Sequence, residues 1–328
     1  MSCLRLRPRT FRFMACMAAA LACGACSVLF APNEEQCATD GDCQAKGAAF
    51  SGMRCVENAC VASGISGGDS GGEAGDAGAD VDPAFACASL PVPSPDPSKQ
   101  VEMTMRYTDF STGQPPVVST LVRLCAATDP NCVNARSTLS GKAAGDAGAD
   151  GGSGWVIPNT DGTVTAKVEF GFEGFFEARS DQYPPTFRST SPALRNPKNE
   201  FEQLLLRPGE ISFLADQLLG KPDSYDSKGH GLVFVFARDC NQQPIAGASF
   251  TTTAEDPLLV PFYVINSSPS VKDDKTDSLG RGGYLNVPPG IHTFTGFIGS
   301  GAEKKRFGSG RVLVRAGAAT TIAVSPTP

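Results

Sequence analysis

Histidine and tryptophan are nearly missing from this chain, which has two His and one Trp in 328 residues. That scarcity removes most routes to acid–base catalysis, because a catalytic imidazole needs an orienting partner and a nucleophile within reach. His230 sits in a Lys-Gly-His-Gly turn, and His292 in an apolar run without a neighbouring Ser or Cys. Both read as solvent-facing or internally satisfied. Basic residues are also few. Four of the 28 Lys and Arg (Arg5, Arg7, Arg9, Arg12) fall in the first 22 residues, where there is no acid. Without them 24 basic residues face 34 acidic ones, a net charge of about −10 instead of −6. No basic patch or basic–aromatic alternation remains, so nucleic acid is not the expected partner. The apolar stretch over 13–22 is shorter than the ~20 residues that cross a bilayer.

That N-terminus instead has the form of an export signal over 1–22, a basic segment followed by an uncharged one. It ends in Ala-Leu-Ala-Cys-Gly-Ala-Cys-Ser, which resembles the bacterial lipobox, where a Cys after small residues carries the lipid. Cys23 follows Ala20-Leu21-Ala22 and matches the motif more closely. Anchoring at Cys26 leaves an even eight Cys behind it, so both stay open. The resemblance implies an anchor segment over 23–36 and an outer-membrane lipoprotein, because the next residue is Gly24 or Ser27 and not Asp.

The chain is otherwise rich in Gly (36), Pro (25) and Cys (12), which points to a loop-rich β protein with linkers. Residues 37–61 hold Cys37, Cys43, Cys55 and Cys60. The first gap is too long for a zinc knuckle and no His is near, so two disulfides are expected, in any of three pairings. A segment this short needs such bridges for stability. It resembles the small Cys-rich modules that follow the signal in exported proteins of gliding, myxobacterial-type soil bacteria. Residues 62–86 form a Gly/Ser/Ala/Asp spacer. Its heptad AGDAGAD at 74–80 returns at 144–150, inside an expected loop insertion over 141–154. Gly64-Ile65-Ser66-Gly67-Gly68 copies a nucleophile-elbow pattern without the strand and helix that give it meaning.

The strongest signal lies in 229–328. GLVFVFARD is a β-branched and aromatic run read as a core strand. Turns follow at Gln243-Pro244-Ile245-Ala246-Gly247 and at Thr276-Asp277 with Gly280, where Pro fixes φ, Gly takes positive φ and Asp bonds its own backbone. Further strands are expected at 284–287 and 291–297, then a hairpin of 311–315 and 320–324. In 291–297 the pleat sets Ile291, Thr293, Thr295 and Phe297 opposite His292, Phe294 and Gly296. This order of strand, Gln-Pro turn, variable loop, Thr-Asp-x-x-Gly, strand, Pro-x-Gly and strand resembles the transthyretin-like, carboxypeptidase-regulatory-like β-sandwich. The resemblance implies a fold and a non-catalytic appended module, and it brings no catalytic residues.

A degraded copy occupies 87–206. Val101, Met103 and Met105 alternate with polar residues, and Gly113-Gln114-Pro115 matches Gln242-Gln243-Pro244. Thr160-Asp161-Gly162 echoes the second Thr-Asp turn, and Val164, Ala166, Val168 and Phe170 alternate again. The expected fold is therefore all-β: tandem transthyretin-like (Ig-like) antiparallel sandwiches, with a helical connector over 207–228. Ile211, Leu214, Leu218 and Leu219 share one face of that helix, which is expected to lie on a sandwich edge. Cys125 and Cys132 are placed to close a local loop, which leaves Cys87 and Cys240 to pair. Trp155 reads as a packing residue at a strand start. Asp273, Asp274 and Asp277 offer weak calcium ligands, but their loop lacks the Gly-turned form of a dedicated site. No other cofactor is expected.

The function expected from these readings is a non-catalytic, lipid-anchored extracytoplasmic scaffold or binding protein for a protein or glycan ligand. The long stretch from Thr252 to Asp277 would serve as its recognition loop. Two alternatives compete: an accessory or cryptic member of a secreted hydrolase system, and a calcium-stabilised adhesin.

Overall fold

The computed structural model describes residues 38–45, 53–56, 59–62, 83–91, 94–116, 120–136, 138–143, 154–194, 196–221 and 225–327. The export signal, Cys23, Cys26, Cys37, most of the spacer and both AGDAGAD heptads lie outside the described residues. Two compact units result, one with the described residues up to Ala62 and Asn266–Ser268, the other with the rest. In the first, helix α1 (Asp40–Ala45) precedes the antiparallel strands β1 (Met53–Val56) and β2 (Ala59–Ala62). Their register sets Cys55 opposite Cys60. The side chains of Cys43, Cys55 and Cys60 lie outside the described residues. No helix among the described residues is long and apolar enough to cross a membrane.

The larger unit is a tandem pair of β-sandwiches. Its first lobe begins with β3 (Asp96–Asp109), β4 (Leu121–Ala126), β5 (Leu139–Ser140), β6 (Lys142–Ala143) and β7 (Val156–Ile157). β8 (Thr163–Phe170), β9 (Gly174–Arg179), β10 (Thr186–Ser189) and β11 (Lys198–Leu205) complete it. After helix α2 (Pro208–Leu219) the second lobe has β12 (Gly231–Ala237), β13 (Ser249–Thr252), β14 (Val260–Ile265) and β15 (Ser268–Ser270). β16 (Arg281–Val287), β17 (Gly290–Ile298), β18 (Lys305–Val314) and β19 (Ala319–Val324) close the chain.

Each lobe forms because its strands alternate. In β3 the buried apolar residues are Val101, Met103, Met105 and Tyr107, which meet Val164, Ala166 and Val168 of β8 and Val122, Leu124 and Phe176 of the facing layer. In the second lobe Val233, Val235, Ile322 and Val324 pack against Phe250, Phe294, Phe307 and Val312. Burying each such side chain is worth about 1.5–3 kcal/mol.

Both lobes are wired alike. The first strand (β3, β12) pairs antiparallel with β8 or β16 and parallel with the last strand, β11 or β19. The second strand (β4, β13) pairs with β9 or β17, which pairs in turn with β10 or β18. The turns also correspond. Gln114 O and Gln243 O accept from Asp109 N and Asp239 N, both at 2.8 Å. Just before them, Gly113 and Gln242 share a φ of 64°. Gly162 and Gly280, at φ 78° and 66°, accept from Tyr107 N (2.9 Å) and Ala237 N (2.7 Å). A Cβ at either would come within 2.5 Å of Tyr107 O or 2.6 Å of Ala237 O, so only glycine fits.

The lobes do not sit as separate beads. β10, on the rim of the first lobe's β4-β9 layer, pairs parallel with β19 on the rim of the second lobe's β12-β16 layer. One sheet of ten strands results, in the order β15-β14-β16-β12-β19-β10-β9-β4-β7-β6. The four-stranded sheet β11-β3-β8-β5 and the three-stranded sheet β13-β17-β18 complete the lobes.

Four details differ from the sequence expectation. β18 and β19 are not a hairpin: they belong to different layers, and the chain crosses between them at Ala316-Gly317. Helix α2 lies on a sheet face and not on an edge, with Ile211, Ala215 and Leu218 against Leu232, Phe262 and Leu285 of three adjacent strands. Pro208 starts that helix, Glu210 accepts from Arg207 N at 2.6 Å, and Gly220 at φ 64° ends it. The stretch from Thr252 to Asp277 contains β14 and β15, so its parts outside strands shrink to 253–259, 266–267 and 271–277. Residues 83–89 form a 3-10 helix held against the second lobe, where Phe85 meets Phe307 at 6.2 Å.

Candidate functional site

The joining strand β10 reads Thr-Phe-Arg-Ser, and its pleat sends Phe187 to one face of the ten-stranded sheet and Arg188 to the other. Each face of the seam carries a cluster of arginines.

On the Phe187 face, Glu177 is fully buried. Arg123, opposite it on β4, donates from Nε (2.8 Å) and Nη2 (2.6 Å) to Glu177 Oε2. Arg179 Nε donates to Oε1 at 2.8 Å, and Arg315 Nη1 stands 3.7 Å from the same oxygen. Arg123 and Arg179 lie 4.5 and 5.1 Å from the Trp155 ring centroid. Trp155 thus packs just before β7, in line with its expected role. Arg123 Nη1 and Arg315 Nη2 donate to Cys132 O (3.2 Å) and Pro130 O (2.6 Å), which fastens the loop closed by the Cys125–Cys132 disulfide. Burial, the largest effect, holds Arg315 below its usual range despite the pull of Glu177. The cluster couples three β4-β9 groups to the crossing at the end of β18.

On the other face Arg188 is 8 % exposed. It lies between Phe201 (5.5 Å) and Phe236 (6.0 Å), and its Nε and Nη1 have no hydrogen-bond partner. Burial, helped by the like charge of Arg238, pulls it down to about 10, which leaves it charged at neutral pH. Burial also lowers Arg238 and Arg281. An unpaired buried cation costs several kcal/mol, and a desolvated ring contact returns about 2.

His230 takes the internally satisfied one of its two expected readings. Its Nδ1 bonds Asp226 Oδ2 at 3.0 Å and its Nε2 bonds Asp256 Oδ2 at 3.1 Å, a latch between the loops before β12 and β14. Burial pulls the imidazolium down, but the bonds to Asp256 and Asp226 outweigh it and the pKa is raised. The bond from His230 lowers Asp226, and the Leu258 amide, then His230, lowers Asp256. The His contribution is therefore present below ~6.5 and lost as pH rises through the raised value. The Asp contributions are present above ~3.9 and lost as pH falls through the lowered values. Melting temperature measured from pH 3 to 8.5 should peak within that window, and H230Q should flatten the alkaline limb. Superimposable alkaline limbs would refute the latch.

His292 Nε2 bonds Pro288 O at 2.8 Å. Asp273 and Asp274 are exposed, while Asp277 Oδ1 accepts from Leu279 N at 2.9 Å. Among the described residues these three form no set of ligand atoms within 4.8 Å of one another. Cys125, Cys132 and Glu177 do lie that close, but disulfide sulfurs are not thiolate ligands. Cys87 and Cys240 are joined by a second disulfide.

No family model and no curated protein matches the chain. Among solved structures, the TIE protein of Bacillus anthracis is 10% identical, with 70% of this chain and 35% of that one covered and a TM-score of 0.22. A streptococcal ancillary pilin is also 10% identical, covering 71% and 64% with a TM-score of 0.21. The shaft pilin SpaA of Lactobacillus rhamnosus GG is 10% identical, covering 72% and 99% with a TM-score of 0.20. The chain thus spans 35% and 64% of the first two.

Proposed function

We propose that this chain is a non-catalytic extracytoplasmic binding or scaffold protein, held to a membrane by a lipid at Cys23 or Cys26. The Cys-rich module and Gly/Asp spacer give reach, and two transthyretin-like sandwiches form the working body. The observation that carries this reading is the continuous sheet through β10 and β19, which makes the two lobes one rigid platform. Each imidazole is committed to structural partners, which fits a protein that holds rather than transforms. Leu258, Val271 and Leu279 are exposed on the loops flanking β14 and β15, the kind of apolar tips through which a scaffold meets a protein or glycan ligand.

The test pairs two assays on the full chain. Incubation with glycoside, ester and peptide substrates should give no turnover, while a glycan and peptide array should give saturable binding that weakens at least fivefold in L258D/L279D. Turnover that disappears on replacing one acidic or imidazole side chain would overturn the reading.

A further inference from the structure

We infer that Arg188, flanked by Arg238 and Arg281, is a binding site for an oxyanion, a carboxylate or phosphoryl group on a small ligand. Pairing through β10, β19, β12 and β16 puts Arg188, Ala323, Phe236 and Arg281 on one face of the sheet. Arg188 is more than nine-tenths buried there, with two guanidinium donors unpartnered. The nearest acids, Asp239 and Asp277, act on Arg238 and Arg281 and not on Arg188, and both also hold backbone amides of their own turns. Asp239 Oδ1 accepts from Asn241 N (2.8 Å) and Gln243 N (2.7 Å), and Asp277 Oδ1 from Leu279 N. Gln203 Oε1, two residues along β11 from Phe201, also lacks a partner, but it is neutral and cannot balance the charge. The planar guanidinium between two phenyl rings matches a planar, bidentate acceptor better than a halide.

A cleft reaches Phe201, one of the two rings that cover Arg188. Phe201, Asn199, Ala323 and Asp239 line this cleft of about 110 Å³, with Thr190 and Ser191; Arg188 is not part of its wall but lies 5.5 Å from the Phe201 ring.

The inference rests on the binding-protein reading, yet the two fail separately. Turnover would defeat that reading and leave an Arg188-dependent anion response intact. The experiment is thermal melting of the full chain at fixed ionic strength, with chloride replaced in steps by acetate, glutarate, phosphate or sulfate. At least one oxyanion should raise the melting temperature saturably, by about 5 °C at a hundredfold excess over its Kd. The acetate and glutarate arms report a carboxylate site, the phosphate and sulfate arms a tetrahedral one. R188M should melt no lower than the parent without anion and lose the shift, while R306M, which removes an exposed cation, should keep it. If R188M does not fold, R238M is read the same way, with at least a tenfold weaker apparent affinity expected by calorimetric titration. A shift unchanged in the variant, or no oxyanion acting beyond chloride, would overturn the site.

Discussion

Replacing Cys240 with Ser is expected to destabilise the larger unit by about 5 kcal/mol and to lower its melting temperature by roughly 10 °C or more. The Cys87–Cys240 bond spans a sequence separation of 153, so it removes far more freedom from the unfolded chain than the Cys125–Cys132 bond, which spans 7. The chain-entropy relation gives the short loop about half the effect of the long one. The long bridge also holds a specific segment. Cys240 N donates to Ala84 O at 2.9 Å, and Phe85 packs on Phe307, so the 3-10 helix over Pro83–Ser89 docks on the second lobe before the chain enters the first. Reductant should therefore reproduce the loss in the parent and have a smaller effect in C240S, with new proteolytic cleavage near residues 83–91. Urea melts that place C240S within 1 kcal/mol of the parent would remove this bridge as a principal brace.

The pairing of these two disulfides follows from Cys count and spacing, but what the long one holds does not. Sequence associates Cys87 with the first lobe because it lies closest to it along the chain. The expected pairing with Cys240 ties this start of the first lobe to the second lobe, but that the 3-10 helix around Cys87 also packs there, through Phe85, shows only in the structure. The lobes themselves were readable because their turns demand particular residues. Gly162 and Gly280 fill positions where a carbonyl of the first strand leaves no room for a Cβ, and Asp161 and Asp277 each bond an amide two residues on. Strand β3 announces itself by alternation from Val101 to Tyr107 over a two-sided environment. Edges carry no such mark. β10 has four residues, all buried, and nothing in Thr-Phe-Arg-Ser names β19, which lies over a hundred residues away, as its partner. β18 and β19 read as a hairpin because a short Gly-containing turn separates two strands, and a crossing between layers uses the same residues. Helix α2 shows an apolar stripe, but a stripe specifies that something is covered, not whether it is an edge or a face.

The arginine clusters were missed for a related reason. Glu177 stands between Phe176 and Ala178 in a run that is buried throughout, so its charge reads as a solvent-facing position of an alternating strand. Its partners come from β4, from β9 itself and from the crossing after β18, and no local spacing links them. Arg188 is similar: one Arg in a short apolar strand is ordinarily an exposed edge residue, and the seam turned it inward. A charge inside a run with no polar alternation is the signal that would have flagged both.

Substituting Glu177 with Ala should cost about 3–5 kcal/mol, the range for removing one partner of a buried ion pair. The loss comes from what remains: Arg123, only 10 % exposed at its side chain, would keep its charge with the carbonyl of Cys132 as its one polar contact. Arg315 would keep Pro130 O, and its position at the crossing carries the disturbance into the second lobe. Glu177→Gln should fall between Ala and the parent, because the amide oxygen still accepts from one guanidinium while the charge is gone. A second readout separates this cluster from general loss of packing. The single Trp of the chain is Trp155, covered by Arg123 and Arg179, and both guanidiniums are aimed by Glu177. In E177A and E177Q, folded in the absence of denaturant, Trp155 emission should shift to the red as the arginines release the ring to water. Urea midpoints of both variants matching the parent, with Trp155 emission unmoved, would show that the three arginines do not depend on Glu177 and that the Phe187 face of the seam is held by packing alone.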